Sequence, residues 1–268
     1  MKPYLELIKR VRDTGLARKD RTGTGTISVF GAQVTFDLRD GFPATTTKRL
    51  AFKQVVGELL CFIHGKKNIA DFHKLGVKIW DANLEAPYWS PMVPGDLGRI
   101  YGVQWRDWHG SKNTIDQFTE LLVNLKADPY SRRHIVTAWQ PAELDQMCLP
   151  PCHILFQCYV SNGYLDLRVD MRSVDLFLGM PFDVASYAVL LSMIAQEVNL
   201  VPRNLIFQLG DAHIYLNHLD QVRELLTRTP RKLPRLVLAN KNLFKLTIDD
   251  ITLEDYDPYP SISAEMSV

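Results

Sequence analysis

At 268 residues, with 46% hydrophobic and 23% charged residues, the chain can build one large core or two small ones, in the proportions of an ordinary globular protein. Its 31 basic and 30 acidic residues leave a net charge of +1, which excludes a global basic field for nucleic acid and an acidic tail, so any anion site is local. No apolar run reaches the roughly 18 residues of a membrane span. The start, Met1-Lys-Pro-Tyr-Leu-Glu, lacks an apolar leader pattern, and Cys61, Cys148, Cys152 and Cys158 form neither a Cys-x-x-Cys pair nor a zinc spacing. The expectation is free thiols, no metal, no membrane and no nucleic-acid partner, in a reducing, cytoplasmic compartment.

Apolar positions Tyr4, Leu5, Ile8 and Val11 predict a helix over 2–15. A turn-rich loop, Lys19 to Thr26, carries Arg21, and 27–38 alternates enough for one or two strands. Residues 52–63 read as a helix with Val55, Val56, Leu59, Leu60 and Ile63 on a broad apolar face; Glu58 lies in it, and a carboxylate there is either solvated or functional. The stretch 81–99, with three prolines and two glycines, reads as an irregular surface loop. A helix is expected over 114–125, ended by Asp128-Pro129, and Arg132 and Arg133 precede a strand over 135–139.

Pro150 and Pro151 fix φ and lack an N–H, so they predict a stiff loop presenting Cys152 and His153, followed by a strand from about 154 to 160. Cys152 on such a stop is a candidate nucleophile; the competing reading is a small buried hydrophobe. Residues 164–170 alternate, with Leu165, Leu167 and Val169 opposite Asp166, Arg168 and Asp170. A mostly apolar helix follows over 185–198, a strand over 204–208, a helix over 215–226, and a tail with short strands, Pro258 and Pro260. With no repeats and no linker, the reading is one α+β domain over 1–268. Its strands come in clusters, which argues against a doubly wound parallel sheet.

Arg21, Arg132, Arg133 and Arg172, the last followed by Ser173, have the forks and hydroxyl that suit phosphate, although a lone arginine is more often a solvated charge. The loop at Arg21 lacks the Walker pattern. His213 and Tyr215, two apart in an extended segment, point to one side and could hold a hydroxyl or simply pack. Trp80, Trp105, Trp108 and Trp139 could supply a stacking surface or core.

Several stretches in order resemble the thymidylate synthase family over nearly the whole chain. They are Asp20-Arg-Thr-Gly-Thr-Gly, Thr46-Thr-Lys-Arg, Gly57-Glu-Leu-Leu, Ile79-Trp-Asp-Ala-Asn, Tyr101-Gly-Val-Gln-Trp, Asp128-Pro-Tyr-Ser-Arg-Arg, Leu149-Pro-Pro-Cys-His, Arg172-Ser-Val-Asp, Phe177-Leu-Gly-Met-Pro-Phe, Gly210-Asp-Ala-His-Ile-Tyr and Tyr256-Asp-Pro-Tyr-Pro. The resemblance implies a mostly antiparallel or mixed sheet packed by helices, with one sheet face at a dimer interface. It also implies one-carbon transfer from 5,10-methylenetetrahydrofolate, as co-substrate, to C5 of a pyrimidine nucleotide. Cys152 would attack C6. Arg21, Arg172 and Ser173 would bind phosphate, with Arg132 and Arg133 crossing from the partner of a homodimer. His213 and Tyr215 would hold the sugar 3′-hydroxyl, and Glu58 would relay protons near Tyr101 and His153. Lys48, Ile79, Trp80, Asp175, Leu178, Gly179, Phe182 and Val268 match the folate side.

One departure bears on the base. Thymidylate-forming members carry Pro-Phe-Asn where this chain has Pro181-Phe182-Asp183. An Asn amide offers a donor and an acceptor, suiting uracil; an ionised Asp only accepts, suiting the cytosine amino group and a protonated N3. Deoxycytidylate-using relatives carry Asp here, so deoxycytidylate is the expected substrate, with deoxyuridylate as the alternative. Asp170-Met171 replaces the usual Tyr-Gln, without a physical account. Trp80, Asn83 and the tail resemble methylating members, whereas precedent among Asp-bearing relatives favours hydroxymethyl. A deoxycytidylate 5-hydroxymethyltransferase is therefore expected, with the reductive 5-methyltransferase left open. Such enzymes supply modified cytosine nucleotides, for example for viral DNA, so the resemblance admits a phage-encoded enzyme acting in a host cytoplasm.

Overall fold

The computed structural model describes residues 1–267; Val268, expected at the folate side, lies outside them. The chain opens with helix α1 (Lys2–Thr14) and strands β1 (Leu16–Arg18) and β2 (Thr26–Asp37), followed by helices α2 (Phe52–Ile63), α3 (Ile69–Lys74), α4 (Asp81–Leu84) and α5 (Tyr101–Arg106). A small hairpin, β3 (Trp108–His109) and β4 (Thr114–Ile115), leads to α6 (Gln117–Ala127) and β5 (Ile135–Thr137). A 3-10 turn at Pro141–Gln146 precedes β6 (His153–Ser161), β7 (Tyr164–Asp175), α7 (Gly179–Glu197) and β8 (Val201–Tyr215). Helix α8 (Leu219–Thr227) and the hairpin of β9 (Arg235–Leu238) and β10 (Ile251–Glu254) complete it.

Six strands form one mixed sheet in the order β1-β2-β8-β7-β6-β5, antiparallel except for β7 and β8. Those two are parallel because α7 crosses between them, the connection a parallel pair requires. The predicted α+β class with a mixed sheet is thus observed. Alternation decides which face is covered. In β2, Ala32, Val34 and Phe36 point into the core while Gln33 and Thr35 are exposed. Helices α1 and α7 bury the inner face, with α2 packed on α7, and Phe156, Val169 and Phe207 are fully enclosed. Among the described residues, the outer face, with Gln33, Arg168 and the 63%-exposed Tyr159, carries no covering layer.

Several boundaries differ from the sequence reading. Helix α7 begins at Gly179 rather than 185, because Pro181 falls in its first turn, where a missing N–H costs no helical bond. Asp183 therefore sits on the helix rather than before it. Strand β7 runs past 170 to Asp175, and β8 spans Val201–Tyr215 rather than 204–208. Gly210 lies within β8 as a close-contact residue: a Cβ there would come 2.7 Å from the Arg172 carbonyl oxygen. The helix expected over 114–125 starts at Gln117, behind Asp116, whose carboxylate accepts from the Thr119 N–H. The loop over 81–99 contains α4, the strand over 135–139 stops at Thr137, the region 27–38 is a single strand, and Tyr215 ends a strand rather than starting a helix.

Candidate active site

A cavity of about 860 Å³ opens where β7 and β8 run out at their carboxyl ends. The parallel register sets Ser173 beside Asp211 and Asp175 beside His213, so adjacent strands deliver their side chains to one wall. Cys152, Arg172, Ser173, Asp175, His213, Tyr215 and Arg21, all singled out in the sequence, line this space.

Cys152 sits at the last step before β6. Its N–H donates to the Tyr101 hydroxyl at 2.8 Å, and its carbonyl accepts from the Arg172 N–H at 2.8 Å. The Arg172 guanidinium donates to the carbonyls of Pro151 at 2.8 Å and Pro150 at 2.9 Å, and Nη2 stands 4.0 Å from Cys152 Sγ. The prolines thus give up their oxygens to orient the arginine, while their missing N–H groups need no partner. Behind it the Trp139 ring lies 5.7 Å from the guanidinium carbon. Burial pushes the Cys152 thiol up, Arg172 opposes this and Asp183 adds to it; the balance leaves the resting group a thiol. Cys61, Cys148 and Cys158 are buried and driven up to about 12, which makes them inert packing residues.

The same end collects cations. Arg18, Lys19, Arg21 and Arg172 line the cavity, with Arg18 paired to Asp211 at 2.9 Å. The Asp20 carboxylate shapes the Arg21 loop, accepting from the N–H groups of Gly25 at 2.6 Å and Thr22 at 3.0 Å. His213 and Tyr215 stand edge to face with ring centroids 5.1 Å apart, both on the cavity wall.

Behind the thiol lies a different environment. Glu58 of α2 accepts from Trp80 Nε1 at 2.8 Å, yet burial outweighs that bond and raises its carboxyl to about 7. Asp183 is held well above the ordinary carboxylate range, by burial first and then by Glu58 and Asp175, with no hydrogen bond among the described residues to offset them. His153 stacks on Tyr101 at 3.9 Å, meets the Tyr187 hydroxyl at 2.7 Å through Nδ1, and is driven by burial down to about 3, so its ring is neutral. Lys48 donates to the Phe177 carbonyl at 2.5 Å, and burial lowers it to about 8 against the pull of Asp175.

Other expected residues stand apart from the cavity wall. Arg132 and Arg133 are exposed on the loop before β5 and do not line it. Trp80 is buried among Phe62, Phe72 and Tyr101. Ile79, Leu178, Gly179 and Phe182 flank the carboxylate end without lining the cavity. The sequence reading missed Arg18, Lys19, Tyr88, Trp89, Leu144, Asp145, Met147 and Asp211, which do line it. The basic pair at 18–19, directly before Asp20-Arg21, was the one available signal.

Among the described residues no group of three or more His, Cys, Asp or Glu is placed to hold a metal, and no helix is long and apolar enough to cross a membrane. A mixed-sheet α+β fold whose cavity joins cations and a cysteine thiol, with the desolvated carboxyls of Glu58 and Asp183 behind the wall rather than lining it, fits an enzyme that handles a small anion by nucleophilic chemistry. The thymidylate synthase family model matches residues 2–268, and the chain belongs to that family. It is therefore a folate-dependent one-carbon transferase of a family that acts on pyrimidine nucleotides, uses methylenetetrahydrofolate as co-substrate and is typically dimeric.

Proposed function

We infer that the nucleotide is deoxycytidylate and that the chain is its 5-hydroxymethyltransferase, organised as one catalytic domain over 1–268. The observation that carries this reading is the Asp183 carboxyl, half-buried and largely desolvated near Cys152 and Tyr101, with no hydrogen bond among the described residues to offset that desolvation. Such a group is open to a ligand, and the base edge is the ligand that needs it. As a neutral acid it can match either base, since it both donates and accepts. The bases differ in basicity: cytosine N3 can take the proton, whereas the N3 of uracil already carries one. Once transferred, the proton leaves a carboxylate facing N3–H and the N4 amino group, a charge-assisted pair.

The chemistry follows from the chain's own groups. Arg21, Arg172 and Ser173 hold the phosphate, and His213 with Tyr215 holds the 3′-hydroxyl. The Cys152 thiolate forms a bond to C6, the C5–C6 π pair moves to C5, and protonated N3 stabilises the adduct. Methylenetetrahydrofolate supplies the one-carbon unit when bound. The apolar wall of Tyr88, Trp89, Leu144 and Leu149, with the carboxylate of Asp175, fits a flat heteroaromatic with polar edges. After transfer, C5 loses its proton to Glu58 through water as tetrahydrofolate is released, water adds to the exocyclic methylene left on C5 to give the hydroxymethyl group, and the C5–C6 double bond re-forms as the thiolate leaves. Glu58, raised to about 7, is suited to that exchange near neutral pH. Lys48, Ile79, Trp80, Leu178, Gly179, Phe182 and Val268 are assigned to the folate side by the family pattern. The uncovered sheet face supports a homodimer, in which Arg132 and Arg133 reach the partner's phosphate site.

The deciding experiment gives the enzyme 5-tritiated deoxycytidylate and deoxyuridylate in parallel with methylenetetrahydrofolate. Tritium release confined to deoxycytidylate, with a hydroxymethyl product by mass, is expected. Equal or faster release from deoxyuridylate overturns the base assignment. A methyl product with absorbance rising near ~340 nm, from dihydrofolate, overturns the product assignment in favour of the reductive 5-methyltransferase.

A further inference from the structure

The chemistry above leaves one buried, charged cluster without a role. Glu143, on the 3-10 turn before the nucleophile loop, has a side chain only 7% exposed and is saturated with donors. Its Oε2 accepts from Arg99 Nε at 2.6 Å and Gln104 Nε2 at 2.8 Å, and its Oε1 meets His109 Nδ1 at 2.5 Å. Burial pushes this carboxyl up, but the bonds from Gln104 and Arg99 outweigh it and hold it below the ordinary range. Arg99 is nearly as enclosed and also donates to the Asp107 carbonyl at 2.5 Å. Gln104 has its amide committed to Glu143 and to the Arg99 carbonyl, at the expense of a buried Oε1 with no partner. Leaving an acceptor unmade is costly, so the orientation is imposed by the carboxylate.

The position of the cluster gives it a consequence. The Arg99 N–H donates to the Gln146 carbonyl at 2.8 Å and the Cys148 N–H to the Leu97 carbonyl at 3.0 Å, so the start of the nucleophile loop is clamped to the segment entering α5. Its other end reaches α5 again, where the Tyr101 hydroxyl accepts from the Cys152 N–H. Both ends of the span are referred to one short helix, and between them Pro150 and Pro151 leave little freedom.

We propose that Glu143 is a positioning residue for Cys152: with Arg99 and Gln104 it locks the 141–152 segment to α5 and so sets where the sulfur stands relative to Arg172. The proposal rests on Cys152 being the nucleophile. It is tested in the full-length enzyme with Glu143→Gln and with the paired apolar replacement Arg99→Met/Glu143→Leu. The pair is included because exchanging a whole buried ion pair for apolar side chains commonly preserves folding, whereas breaking one partner can destroy it. Two readouts are taken beside the melting temperature: kcat and KM for nucleotide and folate, and the pH profile of Cys152 alkylation by iodoacetamide, with Cys152→Ala giving the background from other thiols.

The expected result is a kcat lower by about 10- to 100-fold, the scale of a ~1 Å misplacement, with KM nearly unchanged and the midpoint of the alkylation profile displaced. A fall in melting temperature with kcat and the alkylation profile both intact overturns the proposal and leaves the cluster a structural one. If Glu143→Gln does not fold, the same two readouts on the paired variant decide. Alkylation needs no nucleotide, so an error in the base assignment does not touch this test; a Cys152→Ala enzyme that still turns over would instead overturn the nucleophile assignment.

Discussion

The two ends of the site treat charge in opposite ways. At the mouth, Arg18, Lys19, Arg21 and Arg172 stand around an open cavity. Behind the thiol, Glu58 and Asp183 are raised and His153 and Lys48 lowered, each first by burial, so every one of these groups is driven toward its neutral form. Binding an anion needs permanent charge that water can still screen and exchange. Moving protons needs groups whose charge is nearly balanced, and only desolvation supplies that here. The division predicts that changes at the mouth act on affinity and changes at the back act on turnover and on the choice of base.

The largest effect is expected at the junction. Cys152→Ala abolishes turnover, a loss of at least ~10⁴-fold, while nucleotide binding measured by calorimetry persists. At the back, Asp183→Asn moves the ratio of kcat/KM for deoxycytidylate over deoxyuridylate by about 10²- to 10⁴-fold toward deoxyuridylate. Wild-type turnover of deoxyuridylate also falls as pH rises and Asp183 ionises, because a carboxylate then faces O4; a flat profile breaks this account.

Glu58→Gln lowers kcat by about 10²- to 10³-fold and removes the limb near pH 7 from the rate profile. The sign for stability is distinctive. Glu58 is raised to about 7, so the folded state keeps its proton where the unfolded chain has lost it. Stability declines as pH rises from the ordinary carboxylate range to about 7 and is level beyond, and chemical denaturation of Glu58→Gln shows a shallower decline. The smallest effect belongs to the mouth: Arg21→Ala raises the nucleotide KM by about 10- to 100-fold, the worth of one charge-assisted contact, with kcat little changed. A large kcat loss in Arg21→Ala would dissolve the division between the ends.

Much of this was legible in the sequence where one residue type has one physical use. Helix 52–63 was bounded to the residue because its apolar face is broad and continuous. Cys152 stood out because two prolines forbid regular structure before it. The groups that were missed are those whose role comes from distant neighbours. Glu143 looked like any surface acid, and its meaning depends on Arg99, Gln104 and His109 meeting it from another part of the chain. The helix expected from 185 begins at Gly179, with Pro181 in its first turn, and Asp183 is carried onto the helix with it. The desolvation that raises Asp183, with the nearby Glu58 adding to it, has no trace in linear spacing. Likewise, the role proposed for the exposed Arg132 and Arg133 lies across two copies of the chain, which linear spacing does not display.

The parallel pairing of β7 with β8 has a further consequence. In the proposed assignment the phosphate ligands lie on the first strand and the sugar ligands on the second, in fixed register from Ser173–Asp211 to Asp175–His213. The distance between the two ends of the nucleotide is therefore measured out along paired backbone. A slip of one residue would turn the side chains to the wrong face, and a slip of two would keep the facing but shift one set by roughly 7 Å, more than a nucleotide can absorb. Single-residue insertions and deletions should thus be lethal within this strand pair yet tolerated in the turns outside it. The spacing between the two rows of cavity-lining side chains is written into these strands, and point substitutions can decorate but not reset it.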